Sequence, residues 1–422
     1  MKARTQATAD RQAVVTGLGV VAPNGVGADS FWKAIQEGAT VLGPVTREGC
    51  TDLPLHIVGE VSGFDPAGLI ESRYLVQTDR FTHFAMSAAD LALADARLDI
   101  DRQAPFATGV VTAAGSGGGE FGQGELQRLW GQGPHFVGPY QSIAWFYAAS
   151  TGQLAIHHGT KGPCGAVVSD AASGIDSLGW ADRTIRRGTG AVLAGGTEAP
   201  LTPYSLTIQT SSGHLSTATD PKAGYKPFDR AANGHLPGEG GAILVVEDAA
   251  AARARSAPAG YGVIAGYAAT QDAHHYRTAA PGGRQYARAI GLALQRAGVR
   301  PDEVDMVLAD GAGRPDADAA EAQALCSVFG PHAVPVTAPQ GLFGRLLAGG
   351  SALSVATALL AMRNGVIPPV GNLDDPDPAY GLDLVRRPRE RRLETVLVTA
   401  RGQGGFNSAL VLRARDVRRA SR

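Results

Sequence analysis

The sequence predicts a layered α/β fold, αβαβα in cross-section, assembled from two similar βαβαβ halves. Three observations carry that expectation. Short apolar runs with strand character alternate along the whole chain with segments whose apolar residues fall three or four apart. The second part of the chain repeats the order of elements seen in the first. Finally, 422 residues with 44% hydrophobic content suffice for one extended core or two fused halves.

The elements follow in order. Residues 13–21 read as a strand that ends at the turn Pro23-Asn24-Gly25. Residues 81–97 read as a helix, with Phe84, Ala88, Leu91 and Ala92 along one face and Asp95 near its edge. Residues 108–113 form a buried strand, and the glycine-rich segment after it opens a helix toward Trp130. Ala166-Val167-Val168 is a short strand, and Ser169-Asp170 is a turn and candidate N-cap. From Ala171 the spacing becomes helical through Ile175, Leu178, Ala181 and Ile185, with Gly188 as the stop signal. Residues 190–194 are a strand followed by Gly195-Gly196-Thr197-Glu198, and 242–247 another. The Ala/Arg/Ser-rich stretch 249–257, closed by Pro258, reads as the seam between halves at 13–250 and 259–415. The second half then offers strands at 262–267 and 304–309, helices at 285–297, 319–329 and 346–364, and a closing strand pair at 395–400 and 408–413.

Composition excludes several classes. A formal net charge of −1 gives no support for nucleic-acid or membrane-surface binding. The 56 glycines have no collagen-like period. Cys50, Cys164 and Cys326 are far apart and show neither a CxxC pattern nor a disulfide framework, which predicts a reducing cytoplasm. No apolar run reaches the roughly 18 residues of a membrane span. Residues 1–11 are polar, lack the apolar stretch of a signal peptide and are expected to be a loose tail.

The turn at Ala171 is the most telling local feature. A sharp strand-to-helix turn presents a side chain at the positive end of a helix, which is how many proteins activate a Cys or Ser. Here the side chain is a methyl group. Cys164 stands just before the strand, as a small buried hydrophobe or a displaced nucleophile. Gly17-Leu18-Gly19 begins like a dinucleotide fingerprint, but Ala22 replaces its third glycine, so a tight turn is the expected role. Asp310 follows the strand at 304–309, either as a turn and N-cap residue or as a site carboxylate. Gln340 and Arg345 flank a second loop. Arg345 cannot act as a base and is expected to form a fixed ion pair, with Asp310 as the candidate partner. His157-His158 and His274-His275 are adjacent pairs without the i, i+4 spacing of helical metal ligands.

Val14-Val15-Thr16-Gly17-Leu18-Gly19, Gly162-Pro163, Ser173-Gly174-Ile175-Asp176, Gly195-Gly196-Thr197-Glu198, Pro227-Phe228-Asp229, Gly238-Glu239-Gly240 and Gly404-Gly405-Phe406-Asn407 occur in an order that resembles the β-ketoacyl synthase family, which has the thiolase fold. The resemblance spans residues 12–414. Working members use a Cys, two His and a Lys. By register those fall on Ala171, Asp310, Arg345 and Gln340, so all four are replaced. The pattern, with Val20-Val21-Ala22-Pro23-Asn24-Gly25, Gly43-Pro44-Val45-Thr46-Arg47 and Ala144-Trp145-Phe146-Tyr147-Ala148, is similar to the chain-length factors, or β subunits, of type II polyketide ketosynthases. That resemblance implies a heterodimer with an active ketosynthase α subunit and malonyl units delivered on acyl carrier protein. It also implies a tunnel at the subunit interface that receives the growing poly-β-keto chain, with neither cofactor nor metal. It places tunnel-gating positions at Gly119, Gly122 and Leu126, with Tyr204 across the cavity. Two glycines and a leucine there predict a long tunnel, unless the glycines serve only the turn. Chain-length factors commonly carry Gln where this chain has Ala171, so the decarboxylation attributed to that Gln has no group here. Trp145-Phe146-Tyr147 reads as an aromatic cluster on a helix, either core or interface. The basic stretches at 386–389 and 391–392 are either a solvated loop or a contact for an acidic carrier protein. The competing reading is a stand-alone decarboxylating or condensing enzyme acting through Cys164 or Ser169.

Overall fold

Strand β1, Ala13–Ala22, is buried at every residue. Covered on both faces, it needs a continuous apolar run rather than alternation. Its glycines have a specific use. A Cβ at Gly17 would lie 2.1 Å from the Ala92 carbonyl oxygen, and one at Gly19 would lie 1.7 Å from that of Ala88. Both carbonyls belong to helix α1, Arg80–Ala96. Gly17-Leu18-Gly19 is therefore no turn: it lies mid-strand and admits the helix backbone.

The structure, a computed structural model, describes residues 11–415. The tail expected over residues 1–11 lies outside them except for Arg11. In the first half, β1 is followed by β2 (Thr108–Ala113), β3 (Cys164–Val167), β4 (Ala191–Glu198) and β5 (Gly240–Asp248), in the spatial order β3-β2-β4-β5-β1. In the second, β6 (Gly262–Gln271), β7 (Met306–Leu308), β8 (Pro335–Thr337), β9 (Thr395–Gly402) and β10 (Phe406–Arg413) take the order β8-β7-β9-β10-β6. Parallel and antiparallel pairings also correspond. β2 lies parallel to β3 and β4, as β7 does to β8 and β9, and the remaining neighbours are antiparallel. The two sheets join where β1 meets β6 antiparallel, from Ala13 opposite Ile264 to Val15 opposite Gly262.

Between the sheets lie α4, Ser173–Arg186, and α8, Leu347–Asn364. Helix α8 is buried through most of its length, so it is apolar on nearly every side. Helix α1 covers the outer face of the first sheet, and α6 (Arg284–Ala297) and α7 (Pro315–Phe329) cover that of the second. These layers are the predicted αβαβα arrangement. Three further helices shape the first half: α2, Gly119–Gln132, α3, Ala149–His157, and α5, Pro203–Ser211. No helix among the described residues is long and apolar enough to cross a membrane.

Several boundaries differ from the sequence reading. Strand β4 continues through Gly195-Gly196-Thr197-Glu198, because antiparallel pairing with β5 extends to Glu198 opposite Gly240. Cys164 is the first residue of β3, not a residue before it. Part of the 249–257 stretch is a short helix, Ala249–Ala254, capped by the Asp248 carboxylate on the Ala250 and Ala251 amides at 3.0 Å.

Candidate functional site

The turn between β3 and α4 is sharp, and it buries Ser169 and Ala171. Asp170 holds a left-handed φ of 51°, and its carboxylate accepts from the Gln403 amide at 2.6 Å. Ala172, not Ser169 or Asp170, is the N-cap of α4 and supplies no side-chain cap. Ser169 donates its hydroxyl to Asp176, whose carboxylate also accepts from the hydroxyls of Tyr267 (2.9 Å) and Ser408. A carboxylate shared by three hydroxyls is a poor base for any one of them. Ala171 is only 4% exposed. Its methyl faces a cavity of about 20 Å³, lined also by Asp310, Gln340 and Arg345. That is room for about one water molecule.

The other three residues come from loops of the second half. Asp310 follows β7, and its amide and that of Gly311 each donate to Glu321 of α7 at 2.9 Å. Burial, with Asp310 beside it, pushes the Glu321 carboxyl above its ordinary range. Asp310 is not an N-cap: Arg314 holds that position on α7. Its carboxylate instead accepts twice from Arg345 Nη2, at 3.2 and 3.1 Å, and both side chains are largely buried. Arg345 Nη2 also reaches the Arg401 carbonyl at 3.1 Å. Burial works against the Arg345 charge, but the Asp310 carboxylate and other neighbours hold it above its ordinary value. Gln340 donates its amide to the carbonyls of Ala309 (2.9 Å) and Asp310 (3.2 Å), so it pins the loop instead of facing a substrate. Outside this cavity lies an open cleft of about 290 Å³, lined in part by His214, Arg277 and Arg314. Asp310, Arg345 and Leu347 line both spaces. The ion pair stands between them. A methyl, a locked carboxylate, an amide and a guanidinium offer neither a nucleophile nor a free base.

The alternative nucleophiles fare no better. Cys164 is exposed on β3, and its only hydrogen-bond partner among the described residues is the Gly162 carbonyl at 3.6 Å. Adjacency in sequence argues against a shared ligand role for His157 and His158. The fold carries both to Asp90, with Nε2 to Oδ1 distances of 3.8 and 3.7 Å. Burial lowers the His158 pKa to about 4, leaving it neutral. His275 accepts from the Arg277 amide at 3.2 Å in an exposed segment. The basic stretch near the C-terminus is largely paired: Arg389 with Asp383 (2.7 Å), Arg391 with Asp305 (3.3 Å) and Arg392 with Glu394 (2.7 Å).

The segment from β2 into α2 is built differently. Two buried carboxylates hold it. Glu198 accepts from the Gly115 amide and from the amide and hydroxyl of Ser116. Asp79 caps α1 at the Phe81 amide (3.0 Å) and reaches across to the Phe121 amide of α2 (2.7 Å). Burial pushes both carboxyls up to about 7. On α2, Gly119 and Gly122 are buried, while Leu126 and, on α5, Tyr204 are exposed. The Tyr204 amide donates to the Gln123 side chain at 2.8 Å, tying α5 to α2. The two glycines leave different amounts of space, and Ser205 Oγ alone closes on the first. A Cβ at Gly119 would sit 2.9 Å from Ser205 Oγ, and one at Gly122 would sit 2.0 Å from Cε3 of Trp145. At position 122 an indole occupies the volume that a side chain would take. Trp145-Phe146-Tyr147 is neither on a helix nor in the core. It follows the short helix Gln141–Ala144 and is 40%, 56% and 42% exposed. Sequence reasoning missed the Trp145–Gly122 contact and the holding roles of Asp79 and Glu198. The available signal was a glycine in a helix interior, where it is unfavourable without a packing reason.

With this geometry in place, residues 10–252 match the β-ketoacyl synthase N-terminal domain and residues 261–374 its C-terminal domain, so the chain belongs to the β-ketoacyl synthase family. Within that family it stands with the ketosynthase β subunits, the chain-length factors, of type II polyketide synthases. It is 52% identical to the tetracenomycin polyketide synthase ketoacyl synthase β subunit of Streptomyces glaucescens over 402 residues, 95% of this chain and 98% of that one. Among solved structures it is similar to the ishigamide ketosynthase/chain length factor, with a TM-score of 0.90 at 28% identity over 96% of this chain and 99% of that one. It is also similar to a type II polyketide synthase acyl-carrier protein in complex with its ketosynthase bound to the hexaketide. There the TM-score is 0.87 at 28% identity, over 96% of this chain and 100% of that one.

Proposed function

We propose that this chain is a non-condensing, length-setting subunit that pairs with a Cys-bearing ketosynthase α subunit in the cytoplasm. The partner extends a poly-β-keto chain from malonyl units on acyl carrier protein. This chain supplies part of the wall of the tunnel that the product enters, from Gly119, Gly122, Leu126 and Tyr204. The observation that carries the reading is the reaction centre itself. Ala171, Asp310, Gln340 and Arg345 enclose a cavity of about 20 Å³ with the only two charges paired to each other. Such a centre can hold neither an acyl thioester nor the developing charge of a condensation.

Support for the pairing comes from what the chain leaves uncovered. Strand β3 is the outermost strand of the first half, with an edge that no strand pairs among the described residues and with alternating exposure. Edges of this kind are normally covered or paired. Val168 beyond it is 51% exposed, and Trp145, Phe146 and Tyr147 add exposed aromatic surface. Aromatic side chains are enriched where proteins meet. The comparisons lend weight: one relative is described as a β subunit, and one solved structure as a ketosynthase/chain length factor. The stand-alone enzyme is disfavoured because Ser169 is tied to Asp176 and Cys164 has no base bonded to it.

The test is incubation of the purified chain with malonyl carrier protein, with and without a Cys-bearing ketosynthase partner. The expected result is polyketide only with the partner. Acetyl carrier protein, or an acyl adduct by intact mass, on the lone chain overturns the proposal.

A further inference from the structure

We infer that Trp145 closes the product tunnel of this chain, occupying from the side the volume that a gating side chain at position 122 would otherwise fill. The inference rests on the length-setting reading above and names the residue that does the limiting.

The packing argues for it directly. Position 122 lies in a helix interior, where nothing about the backbone asks for glycine. What asks for it is the indole. A Cβ there would come 2.0 and 2.4 Å from Cε3 and Cζ3 of Trp145, so even alanine would force the ring to move. The two glycines that precede α2 answer to the same segment. At Gly118 a Cβ would meet the Ala144 carbonyl oxygen at 1.7 Å and Trp145 Cα at 2.9 Å. At Gly117, with φ 64°, it would meet the Trp145 carbonyl oxygen at 2.9 Å and the Tyr147 ring at 3.2 Å. The Gly118 amide donates to the Trp145 carbonyl at 3.3 Å, and the Trp145 amide donates to that of Gln141 at 3.4 Å. Gly117, Gly118 and Gly122 thus form a socket for one aromatic residue. The seated ring is still 40% exposed, so one side of it faces away from this chain. Leu126 stands one turn along the same helix and is also exposed. A large, stiff side chain with two rotatable bonds, fixed at its backbone and bare on one side, is suited to be the end wall of a cavity completed by another surface.

The measurement is product length, by mass spectrometry, from this chain co-expressed with its native ketosynthase and acyl carrier protein. Trp145→Ala is expected to lengthen the product by at least one two-carbon unit. Trp145→Ala combined with Gly122→Phe refills the space from the helix side and is expected to restore the native length. Trp145→Leu keeps apolar bulk for the case in which the alanine variant does not assemble, and it is expected to lengthen the product to a smaller extent. Gly119→Phe is the reference for the tunnel as a whole. If it shortens the product while neither change at Trp145 alters length, Trp145 is not the stop and the length-setting reading stands. If none of the four variants alters length in a complex that still forms by size exclusion, the length-setting reading falls with it.

Discussion

The loops around Ala171 and the segment around Trp145 are both places where the chain has filled a space, yet they are finished in opposite ways. Around Ala171 the filling is internal. Asp310 answers Arg345, Gln340 answers two carbonyls, and Glu321 answers two amides. Around Trp145 the chain supplies glycines to seat a ring and then stops, leaving aromatic faces exposed. The first region is satisfied mostly from within, although the Gln340 side-chain oxygen has no hydrogen-bond partner among the described residues. The second leaves aromatic surface uncovered by its own chain. Chemistry has been closed off in one place, and shape has been left on offer in the other.

The largest expected effect tests the closure. Asp310→Ala leaves the buried Arg345 guanidinium with only the Arg401 carbonyl, and breaking one side of such a pair costs about 3–5 kcal/mol. Replacing both members, Asp310→Leu with Arg345→Met, is expected to recover most of that, because the pair is a poor source of net stability once its desolvation is counted. Urea denaturation of the three proteins measures both. A loss under about 1 kcal/mol for Asp310→Ala means the centre is wetter and looser than described.

A smaller effect probes the same cavity. Ala171→Gln must seat an amide in about 20 Å³ and is expected to cost about 1–3 kcal/mol through overpacking. If thermal unfolding shows no loss, the cavity opens easily and could admit more than a water molecule. The contrasting change lies at the open region. Phe146→Ser removes a side chain that is 56% exposed, so the lone chain's stability should shift by no more than about 0.5 kcal/mol. Affinity for the ketosynthase partner should fall by about 1–2 kcal/mol, as for an aromatic anchor at an interface. Calorimetry on the complex and melting of the chain separate the two. Equal losses in both would erase the difference between the regions.

Much of this was legible from residue order, and the exceptions share a cause. Strand β2 begins and ends where its apolar run does, and the Arg345–Asp310 pair follows from the need of a guanidinium in apolar surroundings for a carboxylate. Gly17 and Gly19 were misread because their reason, the approach of α1, lies more than sixty residues away. Trp145 was placed on a helix because three aromatic residues in a row have no period of their own. Its contact with Gly122 spans 23 positions and two elements that no local rule links. Ala171 was expected to stand exposed because a turn can be read locally, whereas the loops that bury it come from the other half of the chain.

The smallest expected effect concerns the carboxylates that hold the open region in place. Glu198 and Asp79 fix the backbone leading into α2, and burial raises both from ordinary values of 4.5 and 3.8 to about 7. A carboxyl whose folded pKa lies above its unfolded one binds its proton more tightly in the folded state. Its contribution is therefore complete below about pH 4 and is lost as pH rises through 7. For these two groups stability should fall between about pH 4 and pH 7. Asp318, raised by burial to about 8, adds to the same fall from beside the sealed centre, so no single change will flatten the curve. Glu198→Gln keeps one oxygen to accept from the Gly115 amide and presents its NH2 to the Ser116 hydroxyl oxygen, with no charge to bury. Relative to the native chain, its melting temperature should be higher at pH 8 by roughly 2 °C and little changed at pH 5. Parallel melting curves for the two proteins across that range would show that the Glu198 proton plays no part in holding the helix that carries Gly119 and Gly122.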